Sequence, residues 1–137
     1  MKRSFVANRK LIEALEPRSK RVVFSRGYTL FCQGDRPTGV YILRQGEASL
    51  FTRSESNKRL ISLQVPAGSV LGLPAIIANE PYTFSAVAHP GADIRFVAQS
   101  DFEEAIQSEA TLFPGMLQIL AAEVCSMRLA LPVLLGR

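Results

Sequence analysis

Tryptophan is absent from this chain, histidine occurs once and cysteine twice. Each scarcity removes a class of function. A jelly roll that holds a metal does so through several histidines, and His89 stands alone. Cys32 and Cys125 are distant from each other and from His89, too few and too scattered for structural zinc, haem or an iron–sulfur cluster. No metal and no cofactor are expected. The two thiols are read as reduced and ordinary, buried or half-buried. No run of about 18 apolar residues occurs, so no membrane-spanning helix is expected. The start, MKRSFVANRKLIEALEP, is basic but lacks the apolar segment of a secretory signal, which makes cytoplasmic residence the default. G-x-S-x-G, Walker and paired-carboxylate motifs are also missing. His89 sits in Ala88-His89-Pro90-Gly91, a turn by composition, and reads as solvated rather than catalytic. No enzyme is expected.

What is present suits one compact domain over residues 1–137. The chain is 47% hydrophobic, ample for a single core, and its aromatics are mostly phenylalanine. Its net charge of +4 is unevenly placed. Residues 1–26 carry eight basic and two acidic side chains, a net of +6, so the remainder is at −2. Such an arm can meet nucleic-acid phosphates or an acidic partner. It equally fits a solvated helix face, and no aromatics interleave the charges as in a single-strand binder.

Residues 27–51, GYTLFCQGDRPTGVYILRQGEASLF, are the most informative stretch. Glycine-marked corners at Gly27, Gly34-Asp35 and Gly46-Glu47 separate short runs of alternating apolar and polar residues. Period-two alternation marks strands with one buried face, and corners this dense predict a small barrel or jelly roll. Strands are expected over 20–25, 28–32, 39–44, 47–53, 59–65, 83–88 and 93–98, with RSESNKR (53–59) as a polar hairpin loop. A helix over 8–15 is capped by Asn8 and ended by Pro17. A second, over 101–107, is capped by Ser100 or Asp101 and has Glu103 and Glu104 in its first turn.

The last helix starts near Phe113, with Pro114 in its first turn and Pro132 limiting its end, so that the C-terminal helices span 101–131. Phe113, Leu117, Leu120, Val124, Met127 and Leu131 follow a 4-3-4-3-4 spacing, which aligns one stripe for a partner helix. Leu112, Met116 and Ile119 form a second apolar edge suited to the barrel. The pattern predicts a homodimer. It is under three heptads long, and one broad stripe against a single core also fits it.

Gly27, Leu30, Phe31, Gln33, Gly34 and Asp35, in the order G-x-x-L-F-x-Q-G-D, resemble the cyclic-nucleotide-binding domain of the catabolite-activator and FNR (Crp/Fnr) regulator family. Tyr41 to Leu50, YILRQGEASL, continues the likeness, as do Gly68 and Gly72. The resemblance covers roughly residues 10–130. It implies a fold that is mainly β with flanking helices: a double-stranded β-helix jelly roll over 20–98, plus a long C-terminal dimerisation helix. It also implies a regulatory, signal-transducing role and a small-molecule effector.

In that family a cassette close to G-E-x-A-L, then P-R-[ST]-A, grips the ligand. A short helix offers backbone N–H groups to the cyclic phosphate, an arginine neutralises it, and a glutamate accepts from the ribose. Here the counterparts are Gly72-Leu73-Pro74-Ala75-Ile76 and Pro81-Tyr82-Thr83-Phe84. Leu73 stands for the glutamate, Tyr82 for the arginine, and Pro74 withdraws a donor. Losing the arginine removes a charge-assisted contact worth on the order of 1.5–3 kcal/mol. With the ribose contact gone too, roughly two to four decades of affinity are lost at about 1.4 kcal/mol per decade.

Gly72, Leu73, Pro74, Ala75, Tyr82, Thr83 and Phe84 are thus the candidate, degenerate pocket, read as collapsed or tuned to a more apolar ligand. Arg44, Arg53 or Arg95 reaching in from another strand would restore a cation. The chain stops at Arg137, without the helix-turn-helix with which family regulators read DNA, so sequence-specific DNA binding by this chain alone is not expected. A non-catalytic dimeric sensor is the leading expectation. The alternatives are a cyclic-nucleotide or other effector receptor using altered contacts, and an adaptor acting through the basic arm.

Overall fold

A computed structural model describes residues 6–24 and 27–134, with side chains through Val124. In chain order come helix α1 (Arg9–Leu15), a 3₁₀ turn (Glu16–Arg18), strands β1 (Lys20–Arg21), β2 (Thr29–Phe31), β3 (Gly39–Gln45), β4 (Glu47–Arg53), β5 (Arg59–Pro66) and β6 (Val70–Leu71). Helix α2 (Leu73–Ala78), strands β7 (Ser85–Ala88) and β8 (Asp93–Ala98) and helix α3 (Gln99–Ser108) follow. A 3₁₀ turn (Ala110–Leu112) then leads into helix α4 (Phe113–Leu134). The fold is the expected jelly roll, mainly β with flanking helices.

Two antiparallel four-stranded sheets face each other, one ordered β1-β8-β3-β6 and the other β2-β7-β4-β5. Alternation along β3 shows how the sequence sets this up. Val40 and Ile42 pack with the helices, whereas Tyr41 and Leu43 turn to the barrel interior. β6 and β8 divide in the same way: Val70 and Val97 go to the helix side, Leu71 and Ile94 inward. The first sheet is therefore buried on both faces. Leu11, Leu15, Phe102, Leu112, Met116 and Ile119 cover its outer face from α1, α3, the second 3₁₀ turn and the start of α4.

Asn8 caps α1 as expected, its side chain accepting from Leu11 N at 2.9 Å. Pro17 lies in the 3₁₀ turn just beyond. Several boundaries differ from the sequence reading. β1 is two residues long, because after Val22 N donates to Ile94 O the chain leaves the sheet, and Val23 is 84% exposed. β7 starts at Ser85, since Tyr82 pairs with the Gly34-Asp35 corner instead of a strand. β6 and α2 were not anticipated as elements. Neither Ser100 nor Asp101 caps α3: the helix begins at Gln99, whose N–H is taken by Thr38 O at 3.0 Å, so both residues fall inside its first turn. α4 continues two residues past Pro132. A proline forfeits one N–H bond to the preceding turn and need not stop a helix at once.

Candidate functional site

The segment between β6 and β7 builds the site. Gly72 caps α2 with φ +89°, a left-handed conformation that a side chain would strain. A Cβ there would also press on the Tyr82 ring at 3.0 Å. Pro74 occupies the first turn, where a backbone donor has no intrahelical partner in any case, and Asn79 ends the helix in the left-handed region. Six residues of helix then hand the chain to Tyr82.

Tyr82 is buried and fixed at both ends. Its N–H donates to Asp35 O at 3.0 Å, and its carbonyl accepts from Gly34 N at 2.9 Å. Its hydroxyl donates to Gly39 O at 2.9 Å and accepts from Thr38 N at 3.1 Å. Its ring stacks on Phe31, with centroids 4.0 Å apart and planes at 18°. Gly39 is required by its neighbour strand, because any side chain there would collide with the Val97 carbonyl and the Phe96 ring. Nearby Tyr41 is pushed above the ordinary phenol pKa, first by burial and then by Tyr82.

Phe31, Leu50, Leu71, Gly72, Pro74, Ala75, Tyr82, Thr83, Phe84 and Glu123 enclose a cavity of about 20 Å³. That is room for about one water molecule. Six of the seven candidate pocket residues border it, with Thr83 exposed at its edge. Leu73 does not. Its side chain is fully buried in the helix-side core with Ile76 and Val70, so the position read as a lost ribose contact carries packing instead.

None of the three arginines considered as a replacement cation lines this space. Arg95 donates to Ser19 Oγ at 2.6 Å and to Ser19 O at 3.1 Å. Arg44 pairs with Glu16 at 3.0 Å and with Asp93 at 3.9 Å. Arg53 lies over the Phe51 ring and donates to Asn57 O.

The charged group that does line the cavity is an acid that sequence reasoning missed. Glu123 of α4 is only 9% exposed, and its Oε2 has no hydrogen-bond partner among the described residues. Burial pushes its carboxyl up to about 8. A sequence signal existed. Glu123 is four residues beyond Ile119 and continues the edge Leu112, Met116, Ile119, all of which are buried. On the opposite stripe Phe113, Leu117 and Val124 are exposed, and Leu120 is half-buried against the core. The side chains of Met127 and Leu131 lie outside the described residues.

Two sequence readings need correction. Cys32 is exposed, not buried. His89 is not merely solvated: it shares a 2.8 Å hydrogen bond with Ser49 Oγ through Nε2, and its Nδ1 lies 3.5 Å from Glu47 Oε1. This chain of groups has the order of a nucleophile, base and acid. However, Ser49 Oγ also accepts from Gln64 at 2.9 Å, and the three residues sit on the outer face of the second sheet, with Glu47 largely in water. Of the basic arm, Arg18 pairs with Glu104 and Arg9 with Glu13, while Lys2, Arg3 and Arg26 lie outside the described residues. Among the described residues no group of acids, histidines or cysteines could hold a metal ion, and no helix is long and apolar enough to cross a membrane.

Comparison with known proteins gives a consistent result. The catabolite activator protein of Thermus thermophilus superposes with a TM-score of 0.76 at 19% identity, over 93% of this chain and 60% of that one. A transcriptional regulator from Thermotoga maritima gives 0.72 at 19% identity, over 92% of this chain and 98% of that one. At these identities the likeness is one of fold. Sodium/hydrogen exchanger 7 of Arabidopsis thaliana is 27% identical over 100 residues, 73% of this chain, so the chain spans only 9% of that protein's length. The family model described as cyclic nucleotide-binding domain matches residues 21–109, well over half of the chain. The chain therefore belongs to the cyclic nucleotide-binding domain family.

Proposed function

We propose that this chain is a non-catalytic, cytoplasmic sensory module that does not bind cAMP or cGMP in the family's usual way. The observation that carries the reading is Tyr82. Where the family pattern has its arginine, this ring stacks on Phe31, ties its hydroxyl to Gly39 and Thr38, and leaves about 20 Å³ of free space. A buried phosphate would meet a neutral ring and an acid there, with no cation among the described residues to offset its desolvation. The exposed relay at Ser49 and His89 gives no support to catalysis, because water reaches its acid freely.

The exposed stripe of α4 supports a homodimer, with Phe113, Leu117 and Val124 on the seam and Leu120 at its edge. Signalling then follows from contact. Glu123 of α4 closes the cavity whose other walls lie within residues 68–86 and on the neighbouring strands, so a change in the cavity moves the helix that carries the seam. Isothermal titration with cAMP and cGMP tests the first part: no binding below about 1 mM is expected, and low-micromolar affinity overturns it. Light scattering at tens of micromolar tests the second. Leu117→Glu should convert the dimer to monomer with little loss of protomer stability, and a wild-type monomer would sink the dimer proposal.

A further inference from the structure

Glu123 is a boundary residue between two spaces. On one side is the inner cavity of about 20 Å³. On the other is a cleft of about 210 Å³ between α4 and the segment after β6, lined by Pro74, Thr83, Phe84, Leu120, Glu123 and Val124. Pro74, Thr83, Phe84 and Glu123 border both. Apart from the carboxyl and Thr83, the cleft walls are apolar. Among the described residues no arginine, lysine or histidine pairs with Glu123.

A carboxyl held in an apolar wall without a partner favours whatever brings it a hydrogen-bond donor and a positive charge. The Phe84 ring on the cleft wall is compatible with the same charge. An anion gains nothing from this lining. The volume is below the roughly 300–1,000 Å³ of drug-sized sites, which limits the ligand to a few heavy atoms beyond its charged head.

The geometry points to this cleft as a binding site for a small organic cation, a primary amine or guanidine with an apolar body, its charged head on Glu123 and its body against Phe84, Leu120 and Val124. The inference rests on the reading that the site has given up the cyclic phosphate, and it inverts the charge of the ligand. Because Val124 also lies on the exposed stripe of α4, the ligand would sit at the margin of the proposed seam.

The test is isothermal titration of the full chain at pH 7 with 2-phenylethylamine and n-butylguanidine. 2-Phenylethanol and 3-phenylpropionate serve as neutral and anionic controls, with cAMP as a separate arm. Binding of both cations is expected, with each control weaker by about tenfold or more. Binding should release a proton from Glu123, seen as an enthalpy that changes with the ionisation heat of the buffer. The other ionisable side chain on these walls is Tyr82, whose hydroxyl is held by Gly39 and Thr38. Glu123→Gln should lose the preference for cations and the proton release. Thr83→Trp, at the exposed mouth, should block the cleft with the carboxyl intact.

Absence of amine binding up to about 10 mM, or equal binding to Glu123→Gln, overturns the inference. If cAMP also fails to bind, the sensory reading survives that loss. Low-micromolar cAMP binding would instead remove the reading beneath it.

Discussion

The two sides of the β1-β8-β3-β6 sheet differ in chemistry. Toward the helices, Leu11, Leu15, Val40, Ile42, Val70, Leu73, Ile76, Val97, Phe102 and their neighbours form an apolar core without a buried unpartnered polar side chain among the described residues. Toward the barrel lie the stacked rings, the cavity and the two unpartnered buried oxygens, Glu123 Oε2 and Thr52 Oγ1. Thr52 faces this side by alternation with Leu50. A core selected for packing alone eliminates such atoms, because each costs free energy. Among the described residues both such atoms lie on the barrel side.

Substitutions can break this contrast. Leu73→Ala, on the fully buried helix side, should cost about 3–4 kcal/mol by chemical denaturation, the range for a buried leucine that leaves a cavity. A loss below about 1 kcal/mol would mean that this side is loosely packed. The barrel side should show itself through pH. The carboxyl of Glu123 titrates near 8 in the folded chain against 4.5 ordinarily, so the native state holds a proton that the unfolded chain has released. Its contribution is complete below about pH 4.5 and is lost as pH rises through about 8, on the order of 5 kcal/mol. Glu123→Gln should flatten that part of the stability profile, and an unchanged profile would place the titration elsewhere.

Tyr82→Phe sharpens the comparison at a single hydroxyl. It should cost about 1–2 kcal/mol, because Thr38 N and Gly39 O lose their partner while the stacking on Phe31 remains. Smallest is Thr52→Val, which removes an unpartnered oxygen at nearly constant volume. A gain of about 1 kcal/mol in thermal unfolding is expected. A loss would show that the hydroxyl has a partner in solution, such as a bound water.

Much of the architecture was legible because strands and long helices repeat a signal over many residues. The bounds of β4 and β8, the Asn8 cap and the buried edge at Leu112, Met116 and Ile119 follow from local pattern. The segment around the site was not. A two-residue strand and a six-residue helix offer too few positions for a period to be read, so β6 and α2 went unseen and Leu73 was assigned to the wrong side. Glu123 was missed for another reason: one acid in an apolar helix reads as a solvated position until the opposing walls are known.

By itself the sequence determined the jelly roll and its family, because these lie in residue identity and short-range periodicity. Only the tertiary structure decided that Tyr82 stacks on Phe31 beside the cavity, that Arg44, Arg53 and Arg95 are engaged elsewhere, and that a carboxyl from the last helix closes the cavity. Which groups share a pocket depends on contacts between residues some forty positions apart, as Tyr82 and Glu123 are, and those distances are set by how sheets and helices pack.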